Sequence, residues 1–171
     1  MKGYVQVYTG EGKGKTTAAF GLALRAAGAG LRVFIAQFVK GLEYSELNAF
    51  KRFDDLIELR QYGRGCFIFE KPEKDDIAAA RKGLEELRKV ISSGRCNMVI
   101  LDEANIAIHY NLLSADDILE LIRTKPEHVE IVITGRYADE KIIDRADLVT
   151  EMREIKHYYS KGVKARNGIE K

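Results

Sequence analysis

The residues best suited to chemistry lie in a glycine-rich bend near the start of the chain. Residues 9–17 read Thr-Gly-Glu-Gly-Lys-Gly-Lys-Thr-Thr, between an alternating apolar run and an apolar pattern of helical period. Strand, loop and helix in this order, closed by Gly-Lys-Thr, are the pattern of a phosphate-binding P-loop. Glycines let backbone N–H groups point at an anion, and the helix N-terminus adds its own N–H groups and dipole. The pattern predicts a nucleoside triphosphate site.

Two side chains of this bend have predicted roles. Lys15 supplies a mobile cation for the outer phosphates, and Thr16 supplies a hydroxyl for Mg²⁺. The general motif starts with a glycine five residues before Gly14, where this sequence has Thr9. We interpret the segment as a variant P-loop, because the two glycines that follow still allow the backbone to turn. A chance turn rich in glycine and lysine is the competing interpretation.

A second chemical signal ends a buried apolar run. Residues 98–101, Met-Val-Ile-Leu, are followed directly by Asp102 and Glu103. Carboxylates at the end of a buried strand have the form of a Walker B element, which holds Mg²⁺ directly or through water. Acidic strand ends are common, so this signal is weak alone. It gains weight beside a P-loop, because the metal needs both halves.

Other polar residues have open interpretations. Arg136 follows Thr134 and Gly135 at another predicted strand end, where it could neutralise a phosphate charge or face solvent. Arg25 lies about three turns into the first predicted helix, where a surface role is the default. The histidines form no constellation with each other, and each is predicted to be structural or exposed: His109, His128 and His157.

Apolar periodicity predicts alternating strands and helices over a single domain, residues 1–171. This alternation is typical of an α/β fold with a mostly parallel sheet covered on both faces. The tail, 155–169, is predicted to form a hairpin around residues 160–162. Predicted strands are 4–9, 31–38, 56–60, 98–101, 129–134 and 147–152, and predicted helices are 15–27, 45–53, 73–92, 114–123 and 141–145.

Composition excludes several classes of protein. Hydrophobic residues make up 46% and charged residues 32% of the chain, which is typical of a soluble globular protein. The net charge of +2 is too small to argue for nucleic acid or an anionic membrane as partner. Cys66 and Cys96 fit neither a disulfide scaffold nor a zinc site and are predicted to be free thiols. We expect no signal peptide, no membrane span and a cytoplasmic location.

These motifs together resemble those of the ATP:corrinoid adenosyltransferases that make adenosylcobalamin. The resemblance runs in one order over nearly the whole chain. It rests on residues 9–21, 37–41, 99–103 and 133–136, and in the tail on 155–157, 162–165 and 168–170.

The resemblance implies a RecA-like P-loop NTPase fold and a homodimer. It implies transfer of the 5′-deoxyadenosyl group of ATP to the Co(I) centre of cob(I)alamin or an earlier corrinoid, with release of triphosphate. The P-loop would then grip a leaving group, whose growing charge prearranged N–H groups, a lysine and Mg²⁺ stabilise. An external reductant, such as a reduced flavoprotein, is expected to supply Co(I).

Site residues follow by position from the resemblance. Lys15, Glu103 and Arg136 are the expected catalytic residues, and Thr16 and Glu103 the expected metal ligands. The expected substrate-binding residues are Thr9, Gly10, Glu11, Gly12, Lys13, Gly14, Lys15, Thr16, Thr17, Arg25 and Phe67.

One loop departs from the family pattern. Family members often carry Gly-Phe-Thr-Trp after the third strand, where aromatic side chains crowd the lower face of the corrin. Residues 63–69 instead read Gly-Arg-Gly-Cys-Phe-Ile-Phe, and the chain has no tryptophan. Phe67, with Phe69, could form the apolar wedge or simply pack against the sheet. Two other functions stay open: a P-loop phosphotransferase or NTPase, and a nucleotide-binding regulatory module without turnover.

Overall fold

The computed structural model describes residues 1–41, 45–64 and 72–170, and within these ranges the chain forms an α/β fold. The strands are Val5–Thr9 (β1), Val33–Phe38 (β2), Ile57–Tyr62 (β3), Met98–Asp102 (β4), Glu130–Thr134 (β5) and Leu148–Glu151 (β6). The α-helices are Lys15–Gly28 (α1), Ser45–Phe50 (α2), Lys74–Ser93 (α3), Ala104–His109 (α4), Ala115–Thr124 (α5) and Glu140–Arg145 (α6). Two 3₁₀ helices span Lys51–Phe53 and Tyr158–Lys161.

The strands form a six-stranded sheet in the order β3-β2-β4-β5-β1-β6. Every pairing among the described strands is parallel, so their carboxyl ends meet at one edge. β5 lies between β1 and β4, which places the end of β5 between the glycine-rich bend and the acidic pair. In open parallel sheets, ligands bind beyond this edge. The prediction of a P-loop NTPase-like α/β fold with a parallel sheet flanked by helices is confirmed.

Two hydrophobic clusters fill the two faces of the sheet. Successive strand side chains point to opposite faces, so the neighbours Phe34 and Ile35 of β2 belong to different clusters. One cluster packs the alanines and Phe20 of α1 against the sheet, and the other packs α3 and α5. This double covering explains why β2 and β4 are buried along their whole length and are apolar apart from Gln37 and Asp102 near their carboxyl ends. No helix in the described ranges is both long and apolar enough to span a membrane.

The tail departs from prediction. The hairpin predicted for residues 155–169 is wrong, since the described tail has no strand after β6 and forms the 3₁₀ helix Tyr158–Lys161 and turns. Its backbone groups find local partners: Gly162 N–H donates to Tyr159 C=O at 2.9 Å, and Gly162 adopts a φ of 81°. The Glu170 carboxylate accepts a bond from Arg166 N–H at 2.8 Å. These contacts hold the tail as a series of turns.

Candidate active site

The bend between β1 and α1, residues 10–14, is here called the glycine-rich loop. Gly10 and Gly14 adopt φ values of 92° and 115°, which L side chains rarely tolerate. A Cβ on Gly10 would lie 2.5 Å from Met152 C=O, the same carbonyl that accepts the Gly12 N–H at 2.7 Å. The loop is therefore packed against the segment that follows β6. Gly14 is the N-cap of α1 and supplies no side chain to cap its N–H groups.

Lys15 begins α1 and lies folded over the glycine-rich loop. Its ammonium donates to Gly10 C=O at 2.6 Å and to Gly12 C=O at 2.7 Å, and the residue is only 8% exposed. Burial lowers the pKa of Lys15, and the nearby positive charge of Arg136 lowers it further. Rotation of the Lys15 side chain would let its ammonium exchange these two carbonyls for an anion bound above the loop.

Asp102, the last residue of β4, is the centre of a hydrogen-bonded cluster. It is fully buried. Its Oδ1 accepts from the hydroxyls of Thr16, at 2.8 Å, and Thr134, at 2.7 Å. Its Oδ2 accepts from Gln37 Nε2 at 2.9 Å and from Lys40 Nζ at 3.2 Å. These donors come from α1, β5, β2 and the loop after β2. The cluster therefore joins the start of α1 to the carboxyl ends of β2, β4 and β5.

Glu103 lies beside this cluster in a different orientation. It has a φ of 58° and precedes α4, so the backbone turns sharply after Asp102. Its N–H donates to Thr134 Oγ1 at 3.0 Å, and its side chain is 22% exposed. Burial, and then the negative charge of Asp102, raise the pKa of Glu103. Both consecutive carboxylates lie near Lys40 Nζ, which is 3.2 Å from Asp102 Oδ2 and 4.0 Å from Glu103 Oε1.

The oxygens around Lys40 Nζ fit a magnesium ion. A threonine hydroxyl and carboxylates are the hard ligands that Mg²⁺ prefers, and the ion usually keeps waters and substrate phosphates as its other ligands. The described residues hold no group of three or more His, Cys, Asp or Glu side chains able to bind a metal by themselves. A cation does fit here, since Lys40 Nζ lies 3.3 Å from Thr16 Oγ1 and 4.0 Å from Glu103 Oε1.

Arg136 follows β5 and reaches across the glycine-rich loop. Its Nη1 lies 3.2 Å from Glu11 Oε2, and about half of the side chain is exposed. Gly135 turns the backbone there with a φ of 129°, and Asn105 Nδ2 donates to Gly135 C=O at 3.1 Å. The structure thus brings Arg136 to the glycine-rich loop, whereas the sequence left open whether it would neutralise a phosphate charge or face solvent.

Comparison with known proteins identifies the family. The profile of the family described as "ATP:corrinoid adenosyltransferase BtuR/CobO/CobP" matches residues 1–170. The chain belongs to this family. It is 39% identical over 173 aligned residues to a corrinoid adenosyltransferase of Sinorhizobium sp, covering 99% of this chain and 80% of the relative. Identity is 34% to the corrinoid adenosyltransferase of Escherichia coli K12 and 36% to Corrinoid adenosyltransferase CobA of Salmonella typhimurium LT2, with 99% of this chain and 86% of each relative covered.

The predicted site residue Arg25 of this corrinoid adenosyltransferase is not brought to the cluster. Arg25 is exposed in the last turn of α1, about 15 Å along the helix axis from Lys15. The pKa of Tyr8 is raised by burial and by the negative charge of Glu130, and the positive charge of Arg25 opposes this rise. Phe67 lies outside the described residues, as do Cys66 and Phe69.

The remaining residues of the predicted loop are placed as follows. Thr9 ends β1, and Thr17 is exposed in the first turn of α1. Lys13 Nζ lies 3.3 Å from Ile169 C=O, so the tail passes beside the glycine-rich loop.

Three residues of the cluster had no predicted site role: Gln37, Lys40 and Thr134. The signal that could have found them is position, because each is polar and lies at or just after the carboxyl end of a buried strand. Asp102, and not Glu103, is the carboxylate that the Thr16 hydroxyl contacts.

The histidines lie in three separate parts of the fold. The His109 ring stacks on Tyr137 with ring centroids 4.3 Å apart, and His128 Nε2 lies 3.0 Å from Gly94 C=O. His157 Nδ1 accepts from Tyr159 N–H at 3.0 Å and so caps the 3₁₀ helix of the tail. These contacts agree with the prediction that each histidine is structural or exposed.

Proposed function

We propose that this corrinoid adenosyltransferase transfers the 5′-deoxyadenosyl group of ATP to the Co(I) centre of cobalamin or a precursor corrinoid and releases triphosphate. The observation that carries the proposal is the junction of the glycine-rich loop with the acidic cluster. The Thr16 hydroxyl, next to Lys15 at the start of α1, donates directly to the buried Asp102 carboxylate. The bend proposed to bind phosphate and the oxygens proposed to bind a metal ion therefore share one edge of the sheet.

The proposed reaction is a substitution at carbon. The electron pair of Co(I) forms the cobalt–carbon bond to C5′, and the C5′–O5′ bond breaks with its electron pair leaving on the triphosphate. Negative charge therefore builds on the leaving group. We assign the stabilisation of that charge to the loop N–H groups, Lys15 and Arg136, because groups that bind the transition state more strongly than the ground state accelerate the reaction.

Mg²⁺ would be held by the Thr16 hydroxyl and the carboxylates of Asp102 and Glu103, directly or through water. When bound, it supplies positive charge to the triphosphate oxygens. Asp102 also keeps the Thr16 hydroxyl oriented, since the two are joined at 2.8 Å. The residues proposed to bind the nucleotide are those of the glycine-rich loop with Thr9, Lys15, Thr16 and Thr17.

Several further features are proposed from the family resemblance. An external reductant, such as a reduced flavoprotein, would supply the Co(I) state. The enzyme would act as a cytoplasmic homodimer, and Phe67 would crowd the lower face of the corrin. Arg25 is proposed to bind the nucleotide on the resemblance alone, because its position in the last turn of α1 gives that role no further support.

An anaerobic assay tests the reaction. Protein, ATP, Mg²⁺ and chemically reduced cob(I)alamin are mixed, the cobalt–carbon bond is followed by the corrinoid's absorption spectrum, and phosphate products are separated by ion-exchange chromatography. We expect adenosylcobalamin and intact triphosphate in equal amounts. ADP with orthophosphate would indicate a phosphotransferase or NTPase, and binding of ATP without any product would contradict the proposed catalysis.

A further inference from the structure

A lysine ammonium lies where the proposed metal ion would bind. Lys40 Nζ is 3.2 Å from Asp102 Oδ2, 3.3 Å from Thr16 Oγ1 and 4.0 Å from Glu103 Oε1. These are the three residues whose oxygens fit Mg²⁺ in the proposed function. The ammonium therefore neutralises the buried Asp102 carboxylate among the same oxygens, and a divalent cation entering there would meet a like charge at close range.

The backbone of Lys40 is fixed by packing. It follows Val39, which has a φ of 60°, just beyond the end of β2. A Cβ on Gly63, after β3, would lie 2.6 Å from Lys40 N and 2.7 Å from Lys40 C=O, so the two backbones are in direct contact. The ammonium can therefore move only by rotation of its flexible four-carbon side chain, which is 19% exposed to solvent.

The charges around Lys40 keep it an ammonium. Burial alone would lower the pKa of Lys40, but the carboxylates of Asp102 and Glu103 outweigh burial and raise it. Gln37 Nε2 and Thr134 Oγ1 remain on Asp102 if the ammonium leaves. Asp102 then keeps these two hydrogen-bond donors but loses the positive charge of the ammonium, so another cation must compensate its negative charge.

We propose that the Lys40 ammonium holds the place of the divalent cation in the ligand-free site and is displaced when the cation binds with the triphosphate. The inference rests on the metal site of the proposed function. It makes Lys40 a positioning residue that keeps the acidic cluster and Thr16 in place before substrate arrives, at the cost of weaker metal binding.

Metal affinity gives the first test. Mn²⁺ binding in the presence of ATP is titrated by electron paramagnetic resonance for the wild type, for Lys40→Met and for Lys51→Met. Lys51 is exposed, and its ammonium contacts Asn48 Oδ1 at 2.9 Å, so it matches the charge change away from the cluster. We expect Lys40→Met to bind Mn²⁺ about fivefold more tightly or better, and Lys51→Met to bind like the wild type.

The stability of the metal-free protein gives a second readout, which separates displacement by the metal from a purely structural role of Lys40. Lys40→Met should unfold at a lower temperature than Lys51→Met without metal, because Asp102 loses its cation, and this deficit should shrink when Mg²⁺ and ATP are added. In the wild type, the nuclear magnetic resonance signal of the Lys40 ammonium should move on metal addition as its contact with Asp102 breaks. This measurement does not depend on any variant folding.

Each outcome decides between the two proposals. If the wild type binds no Mn²⁺ even with ATP, both the metal site and the displacement are wrong. If the wild type binds Mn²⁺ but Lys40→Met binds it equally or more weakly, the displacement alone is wrong. An unchanged Lys40 ammonium signal on saturation with metal would overturn the displacement in the same way.

Discussion

At the residue scale, the ammonium groups of the two lysines in the site contact different kinds of partner. Lys15 rests on neutral loop carbonyls, whereas Lys40 rests on a buried carboxylate. An ammonium bonded to neutral carbonyls is held less strongly than one paired with a carboxylate, so Lys15 can turn to an incoming phosphate at a smaller cost than Lys40. This difference supports the two proposed roles, in which Lys15 follows charge on the triphosphate and Lys40 stabilises the acidic cluster before a metal ion binds.

Lys15→Ala should lower the rate of adenosylation by about 10²–10³-fold, the usual effect of removing one preorganised group that stabilises developing charge. The measurement is kcat and KM for ATP in the anaerobic assay. Lys82→Ala, an exposed lysine of α3, is the matched control and should leave both unchanged. Wild-type turnover in Lys15→Ala would remove this residue from the mechanism.

At the element scale, what the sequence predicted depends on how far each segment's partners lie along the chain. α1 was predicted almost to its ends because strand, glycine bend and apolar period are local signals. α4 was not predicted, since it has only six residues and follows Glu103, whose left-handed backbone is held by a hydrogen bond to Thr134 of another strand. The Asp102 cluster was predicted only in part for the same reason, because its donor Gln37 lies 65 residues away along the chain.

The packing of α3 on the sheet gives a prediction with an internal control. A Cβ on Gly83 would lie 2.6 Å from the ring of Tyr62 and 3.0 Å from that of Phe38, whereas a Cβ on Gly21 of α1 would meet nothing within 4 Å. Gly83→Ala should therefore destabilise the protein by about 1–3 kcal/mol through overpacking. Gly21→Ala should stabilise it by about 0.5–1 kcal/mol through helix propensity. Urea unfolding measures both, and the same sign for the two variants would contradict the packing argument.

The start of α5 gives a pH-dependent prediction. Ser114 and Asp117 form a capping box, and Arg81 Nη1 lies 3.0 Å from Asp117 Oδ2. Although partial burial opposes it, hydrogen bonds from Ser114 and the charge of Arg81 lower the pKa of Asp117. A lowered pKa in the folded state means stability that is present above the unfolded pKa and lost as pH falls through the folded one.

Asp117→Asn should therefore cost about 1 kcal/mol at pH 7. The deficit against the wild type should shrink as the pH falls below about 4, where the unfolded carboxyl begins to take up a proton. Denaturant unfolding at a series of pH values measures it. Asp54→Asn, at an exposed aspartate, is the control, and a deficit that grows with acidity would show that the sign is wrong.

At the scale of the whole molecule, the site joins segments that the chain keeps far apart. The Asp102 cluster connects α1 with β2, β4 and β5, and the glycine-rich loop is fixed to the backbone after β6. A ligand that binds there binds only the folded chain, because no single segment contains the site. Binding of nucleotide and metal should therefore appear as stability of the entire fold.

ATP with Mg²⁺ should raise the unfolding temperature, since ligand at 100 times its dissociation constant adds about 2.7 kcal/mol to the folded state. AMP keeps the adenosine but lacks the triphosphate that the loop, Lys15 and Thr16 are proposed to hold, so its shift should be much smaller. Chelation of Mg²⁺ with EDTA should remove part of the ATP shift, because the carboxylates of Asp102 and Glu103 then face the triphosphate without a cation. Differential scanning calorimetry measures all three conditions. Equal shifts with AMP and ATP would mean that the phosphates contribute nothing, and an ATP shift untouched by EDTA would mean that the acidic cluster binds no metal.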